Sequence, residues 1–155
     1  MRRNDREITD KELIKSLISE EKIIRIGFND NGVVYIVPVN YGFIETDGRY
    51  TFYFHGAMPG RKYELAKSKP SVGFEIDGRY ELIGAETACG HSTRFMSVIG
   101  TGVLSLIESS EEKKAALEYV MKQAVGRTGL EYDNRVLSRT AVYKLEVKAM
   151  SCKAK

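Results

Sequence analysis

The strongest constraint on the fold is a long apolar segment at residues 33–43, which has a turn signal at each end. Its side chains alternate as they do in a strand, yet both faces carry apolar residues. The flanking turns, at residues 29–32 and 45–48, contain Asn, Asp and Gly, which tolerate positive φ. Together with strands predicted at 23–28 and 50–54, they indicate a three-stranded meander. We expect its middle strand to lie between a core and either a second subunit or a ligand.

Two helices are marked by signals at their ends. Thr9 and Glu12 have the spacing of a capping box, in which each side chain satisfies a free backbone amide of the first turn. Ser109 and Glu112 repeat this spacing, and Gly126 supplies the residue that commonly ends a helix. Apolar residues at helical spacing follow both boxes, so each segment is predicted to pack one face on a core.

The remaining segments are mostly strands. Residues 72–76 and 79–83 are predicted to form a second hairpin around the Asp-Gly pair between them, and strands at 95–107 and 141–147 follow. Six or seven mostly antiparallel strands with helices at the ends indicate a small barrel, because closure removes exposed strand edges. The predicted class is therefore mainly β (α+β), in one domain over residues 1–155.

Composition limits the functional classes. The chain has 155 residues and a formal charge of +3, from 24 basic and 21 acidic residues, which is too small to argue for nucleic acid. No apolar run approaches the roughly 20 residues that cross a bilayer. Two cysteines cannot form a disulfide framework, so we expect a reducing, cytoplasmic location.

The best candidate for chemistry is residues 53–62, where a strand ends, a loop with glycines follows, and a short helix begins with Arg61 and Lys62. A helix N-terminus attracts anions, and both side chains bind phosphate well. Two cations at that position destabilise the helix unless an anion offsets them. A phosphate group of a small ligand is therefore predicted, with two solvated surface cations as the alternative. His55, one loop away, is either a catalytic or a structural histidine.

Other catalytic classes lack their motifs. Cys89 and His91 do not form a metal site, because two ligands at this spacing are not accompanied by further Cys or His. Nothing identifies a third group that would orient a nucleophilic Cys89. The glycine-rich dinucleotide motif, the P-loop and the serine-hydrolase motif are all missing from the sequence.

In their order and spacing, these features resemble the FMN-binding split barrel of the pyridoxamine 5′-phosphate oxidase superfamily. The resemblance is greatest to the branch of 5-nitroimidazole resistance (Nim) reductases, and it extends over about residues 5–150. It is carried by residues 6–10 before the first helix, by the strand at 35–41, by the loop and helix start at 53–56 and 60–62, and by the late strand at 97–102 with the helix start at 109–114.

The resemblance implies a homodimer that binds FMN at the subunit interface. Arg61 and Lys62 match the pair that binds the phosphate, and Phe54 matches a strand-end flavin contact. His55 resembles the active-site histidine of the Nim reductases. Residues 95–97, which include Ser97, fall where the oxidases place a glutamine that reaches the flavin, and this chain has no glutamine there. The positions that match the border of the flavin ring and ribityl chain are Val37, Pro38, Val39 and Asn40.

The chain departs from the oxidases at its C-terminal end. It has no tryptophan, whereas the oxidases close over cofactor and substrate with a segment that bears tryptophan and arginine. We therefore expect an FMN-dependent oxidoreductase that reduces a small, flat acceptor such as a 5-nitroimidazole, and no true pyridoxamine phosphate oxidase. The alternatives are a non-catalytic flavin- or haem-binding protein and an interaction module that has lost its cofactor. A phosphate-binding pair would serve FAD or the deazaflavin F420 equally well.

Overall fold

A computed structural model describes residues 4–155, which form a barrel of long antiparallel strands with four α-helices around it. Short 3-10 turns at Asn4–Arg6 and Ala88–Gly90 complete the regular structure of this part of the chain. In chain order, the elements are β1 (Glu7–Ile8), α1 (Lys11–Glu20), β2 (Ile23–Asp30), β3 (Val33–Thr46), β4 (Arg49–Ala57), α2 (Arg61–Ala66), β5 (Ser71–Ile83), β6 (Ser92–Ile107), α3 (Ser110–Val125), α4 (Asn134–Ser138) and β7 (Thr140–Ala154).

The six long strands form a closed ring. Around it the order is β7, β4, β3, β2, β5 and β6, and β6 pairs again with β7. The seventh strand, β1, is a two-residue addition to the end of β7. All pairings are antiparallel, which confirms the predicted mainly β barrel of six to seven strands. Closure pairs backbone groups that an open sheet would leave exposed at its edges.

The barrel interior is filled by aromatic and aliphatic side chains, and α1 and α3 pack against it. The Tyr41 hydroxyl donates a hydrogen bond of 2.6 Å to the carbonyl of Ile18, which links α1 to β3. At Gly42 the backbone of α3 lies so close that an added Cβ would be 2.1 Å from the carbonyl carbon of Tyr119. A glycine is therefore needed at this contact, because a side chain would displace the helix.

β3 changes its partner along its length, and this opens the barrel on one side. Residues 33–40 pair with β2, whereas residues 41–46 pair with β4. β4 pairs with β3 only as far as Phe54, and its last residues, at 55–57, pair with β7 alone. Within residues 4–155, no strand bridges the first half of β3 and the end of β4. We call this gap the split, and α2 follows it directly in the chain.

The structure corrects the expected cap of the first helix. The N-cap of α1 is Asp10, whose carboxylate accepts hydrogen bonds from the amides of Glu12 and Leu13. Thr9 was predicted for this role and lies one residue too early. The second predicted box is confirmed in its N-cap, since the Ser109 hydroxyl accepts from the Glu112 amide.

The second predicted hairpin is wrong, because β5 is one continuous strand that pairs with β6 on both sides of the Asp-Gly pair. The register shifts between Gly78 and Glu81, and Arg79 takes a φ of 55°. The Arg79 guanidinium donates to Glu20 and Ser16 of α1. The local signal for a turn is thus used by a bulge that contacts a helix distant in sequence.

Candidate functional site

α2 lies between the two sides of the split, and its first two residues contact different strands. Arg61 contacts Tyr35 of β3, whereas Lys62 contacts Phe54 of β4. The helix has only six residues, so the attraction for an anion depends on these two side chains more than on a helix dipole. The predicted cationic pair is therefore confirmed as the start of α2, with its two charges divided between two strands.

Lys62 lies in a partly buried aromatic environment. Its Nζ atom is 5.5 Å from the ring centroid of Phe54 and 5.1 Å from that of Tyr143. A Cβ on Gly56 would be only 2.9 Å from the same Nζ, so this glycine leaves the room that the ammonium group occupies. Burial lowers the pKa of Lys62. Within residues 4–155, no carboxylate forms a salt bridge with Lys62, and its charge is balanced only by ring faces.

Arg61 has a carboxylate partner, which the sequence did not indicate. Its Nε and Nη2 atoms both lie 2.7 Å from the Oδ2 atom of Asp30, at the end of β2. The guanidinium carbon is 4.4 Å from the ring centroid of Tyr35. The remaining Nη1 group is not used in these contacts, so Arg61 keeps donors for an anion while Asp30 fixes its orientation.

The floor beneath Lys62 is a stack of two fully buried rings. Phe54 and Tyr143 have centroids 4.9 Å apart and planes within 14°. Phe54 therefore supports Lys62 and offers no exposed ring surface. The Tyr143 hydroxyl is buried and has no hydrogen-bond partner in the described part of the chain. Burial, and then the neighbouring Tyr63 and Tyr35, raise the pKa of Tyr143 to about 12.

His55 belongs to β4 and not to the predicted loop, because it pairs with Val142 of β7. Its side chain is exposed on the outer face of the barrel, while the next residue, Gly56, contacts Lys62 on the other face. Partial desolvation, and then the positive charge of Lys62, lower the pKa of His55 from its ordinary value of 6.5. The imidazole is thus neutral at pH 7, with one nitrogen that donates and one that accepts.

His55 opens onto a groove of about 500 Å³ that the sequence did not predict. α4, which follows the N-cap Asp133, forms the opposite wall, to which its Arg135 and its C-cap residue Arg139 contribute. The only local signal for this helix is an Asp before five residues, which is too short to show a hydrophobic period. The full lining is His55, Gly56, Ala57, Arg135, Val136, Arg139 and Thr140.

The predicted flavin-contacting strand lies along the other side of the split. Val37 and Val39 are half-buried, whereas Pro38 and Asn40 are exposed on the outer face. The Asn40 amide donates 2.9 Å to the carbonyl of Lys22, which fixes its side chain against β2.

The fold does not bring Ser97 close to these residues. Arg25 of β2 pairs with Pro38 on one side and with Glu75 on the other. Glu75 in turn pairs with Ile99, two positions along β6 from Ser97. Three strand spacings, or about 14 Å, therefore separate this part of β6 from β3.

The other sequence candidates lie apart from the split. Cys89 is exposed, and the Nδ1 atom of His91 is 2.9 Å from the carbonyl of Thr87, which is a local structural contact. Residues 4–155 contain no cluster of three or more Cys, His, Asp or Glu residues able to hold a metal ion. None of the helices in this part of the chain has the length and hydrophobicity required to cross a membrane.

Comparison with known proteins places the chain among flavin-related barrels. A family model described as pyridoxamine 5′-phosphate oxidase matches residues 10–154. Among solved structures, the chain is similar to a candidate 5-nitroimidazole antibiotic resistance protein from Bacteroides thetaiotaomicron. The two share 29% identity with a TM-score of 0.81, over 96% of this chain and 86% of that one. No curated protein sequence matches the chain.

Two more distant structures share the fold. The flavocytochrome Anf3 from Azotobacter vinelandii is 21% identical with a TM-score of 0.81, over 100% of this chain and 72% of that one. A FAD- and haem-binding protein from Mycobacterium smegmatis is 14% identical with a TM-score of 0.83, over 97% of this chain and 73% of that one. These similarities confirm the split-barrel architecture.

Proposed function

Because the chain belongs to the pyridoxamine 5′-phosphate oxidase family, we propose that it is an FMN-dependent oxidoreductase that reduces a small, flat acceptor such as a nitroaromatic compound. The family is flavin-binding, and the 29%-identical Bacteroides structure is described as a candidate 5-nitroimidazole resistance protein. The choice of FMN and of a nitroaromatic acceptor is our proposal. It rests most directly on the pair Arg61 and Lys62 at the split.

The residues at the split fit a phosphate group. Lys62 is partly desolvated and has no carboxylate partner in residues 4–155, so a bound anion would stabilise it. Arg61 retains an Nη1 group that its contact with Asp30 does not use. Together they supply a point charge and a planar donor, the combination that suits a terminal phosphate.

The flavin ring would extend from this phosphate site along β3, with Val37, Pro38, Val39 and Asn40 beside it. Bound flavin would supply the hydride or electron pair for reduction of the acceptor. His55 would hold or deliver a proton beside the ring, since its neutral imidazole carries one donor and one acceptor at pH 7. Phe54 would act through Lys62, which it supports from below.

A homodimer would complete this site. The outer face of β2 and β3 exposes apolar side chains, and Val34 and Ile36 are 72% and 60% exposed. Such a patch is typical of an interaction surface. Ser97 lies about three strand spacings from this part of β3 within one protomer, so it would contact the flavin only from the partner across such an interface.

The absorption spectrum of the purified protein tests the cofactor, together with the mass of what heat releases. We expect a flavin spectrum and the mass of FMN. A sharp haem band would favour the haem-binding alternative, and FAD or F420 would be identified by mass. A protein that is colourless and takes up no added FMN would refute the enzyme.

The double variant Arg61→Ala, Lys62→Ala tests the phosphate site. It should lose most bound flavin while keeping its fold and its oligomeric state, because neither side chain is part of the hydrophobic core. The matched control is Arg127→Ala, Lys122→Ala, which removes the same charge from exposed positions on and after α3. Equal flavin content in both variants would contradict the assignment. Anaerobic reduction of a 5-nitroimidazole, followed by absorbance, then tests the acceptor.

A further inference from the structure

The groove beside His55 carries a positive charge that the protein does not neutralise. Within residues 4–155, the side chains of Arg135 and Arg139 form no ion pair with a carboxylate. By contrast, four other arginines donate to Asp or Glu at 2.5 to 2.9 Å. Those paired arginines are Arg25, Arg61, Arg79 and Arg94.

The wall that presents the two arginines is fixed to the barrel. Leu137 of α4 is buried with Leu117 of α3 and Val142 of β7 in a small hydrophobic cluster. The Asp133 carboxylate accepts from the amides of Arg135 and Val136, which anchors the start of the helix. The arginine side chains themselves are exposed, and their donors are not used in internal contacts of the described residues.

The rest of the groove suits a flat organic group. Gly56, Ala57 and Val136 provide small or apolar walls, and Val136 is 64% exposed. The Thr140 hydroxyl already donates 2.8 Å to the carbonyl of Val136, so it is not the main polar ligand. A volume of about 500 Å³ accommodates one substituted aromatic ring.

We propose that this groove binds an oxyanion of the electron acceptor, a carboxylate or a phosphate carried by a small aromatic compound, through Arg135 and Arg139. The proposal deepens the function given above and rests on it, since it names the substrate class of the same site. Arginine matches both oxyanions in a bidentate geometry, and His55 would then stand between the bound anion and the reacting part of the molecule.

The groove is separate from the proposed phosphate site of the cofactor. The side chains of His55 and Ala57 face the groove. Phe54 and Gly56 lie against Lys62 on the opposite side of β4. The end of β4 thus lies between two cationic pairs, one at the start of α2 and one on α4. A substrate anion and a flavin phosphate would therefore not compete for the same side chains.

Calorimetric titration of the protein as purified tests the proposal, with benzoate, phenyl phosphate and benzamide as probes. At least one of the two anions should bind about tenfold more tightly than the neutral amide, and the preferred anion identifies the oxyanion. The variant Arg135→Ala, Arg139→Ala should lose about tenfold in affinity for that anion and retain its flavin. The control Arg127→Ala, Lys122→Ala, with the same change in charge, should bind like the unaltered protein.

Two results would overturn the proposal: equal affinity for benzamide and both anions, or unchanged anion affinity in the α4 variant. Loss of flavin from that variant would also overturn it, because the groove would then serve the cofactor. Steady-state reduction of 4-nitrobenzoate and 4-nitrobenzamide separates this inference from the proposed function. If neither compound is reduced, the acceptor is wrong, while arginine-dependent binding of the anion would still support the groove.

Discussion

The charge of His55 depends on residues that lie on the opposite face of its strand. Its pKa is lowered first by partial desolvation and then by the Lys62 ammonium group, which lies against Gly56. In the unfolded chain both influences disappear. As the pH falls below about 6.5, the unfolded chain therefore takes up a proton before the folded one, and His55 reduces stability on the acid side only.

We predict that Lys62→Met raises the pKa of His55 toward its ordinary value. Methionine keeps a flexible apolar side chain over Phe54 and Tyr143 but removes the charge. Proton NMR titration measures the shift, and a His91→Gln background leaves a single histidine signal. Lys122→Met is the control, and it should leave the midpoint unchanged. A midpoint that does not rise in the Lys62 variant would show that desolvation alone sets this pKa.

At the level of elements, the two hairpin turns and the end of α3 show how far local signals extend. The turns at Asn31-Gly32 and Asp47-Gly48 were predicted from dipeptides that tolerate positive φ, and these residues adopt it. Gly126 ends α3 in the left-handed conformation, as predicted. Each of these features is decided within a few residues, which is why the sequence alone indicates them.

Apart from the cap of α1, the failures of prediction involve partners distant in the chain. The bulge at Arg79 depends on Glu20 of α1, and the extension of β4 to His55 depends on Val142 of β7. The residues of the candidate site show the same division between local signals and distant partners. Arg61 and Lys62 were recognised from their position at a helix start, whereas Asp30 and the α4 groove appear only when the barrel closes.

The cap of α1 gives a prediction that separates two neighbouring residues. Asp10→Ala should lower the free energy of unfolding by about 0.5–2 kcal/mol, because it removes the acceptor for two first-turn amides. Thr9→Ala should change it by no more than about 0.5 kcal/mol, as an exposed substitution outside the cap. Urea denaturation followed by circular dichroism measures both. The reverse order would restore the capping box expected from the sequence.

At the scale of the whole molecule, the outer face of the barrel leaves large apolar side chains exposed to solvent. Ile36 pairs with Gly27, which pairs in turn with Gly73, so a flat strip without side chains runs beside an exposed isoleucine. The strip lines a shallow depression of about 340 Å³ together with Arg25 and Glu75. A flat apolar surface of this kind is stabilised when a second copy covers it.

Ile36→Glu should therefore convert the proposed dimer to a monomer. A carboxylate at this position on each subunit would lose hydration in the proposed interface, whereas it would be solvated in the separated barrel. Analytical ultracentrifugation measures the mass, and the flavin content of each fraction is measured by absorbance. Val125→Glu is the control, because Val125 is an exposed apolar residue at the end of α3 and does not belong to this strip.

The two readouts together decide whether the dimer is part of the site. If Ser97 of the partner contacts the flavin, the Ile36→Glu monomer should bind it far more weakly, even though Arg61 and Lys62 are intact. A monomer that retains full flavin would place the whole site within one protomer and remove the role proposed for Ser97. An unchanged mass would show that the strip around Ile36 is not the interface, and its exposed side chains would then require another partner.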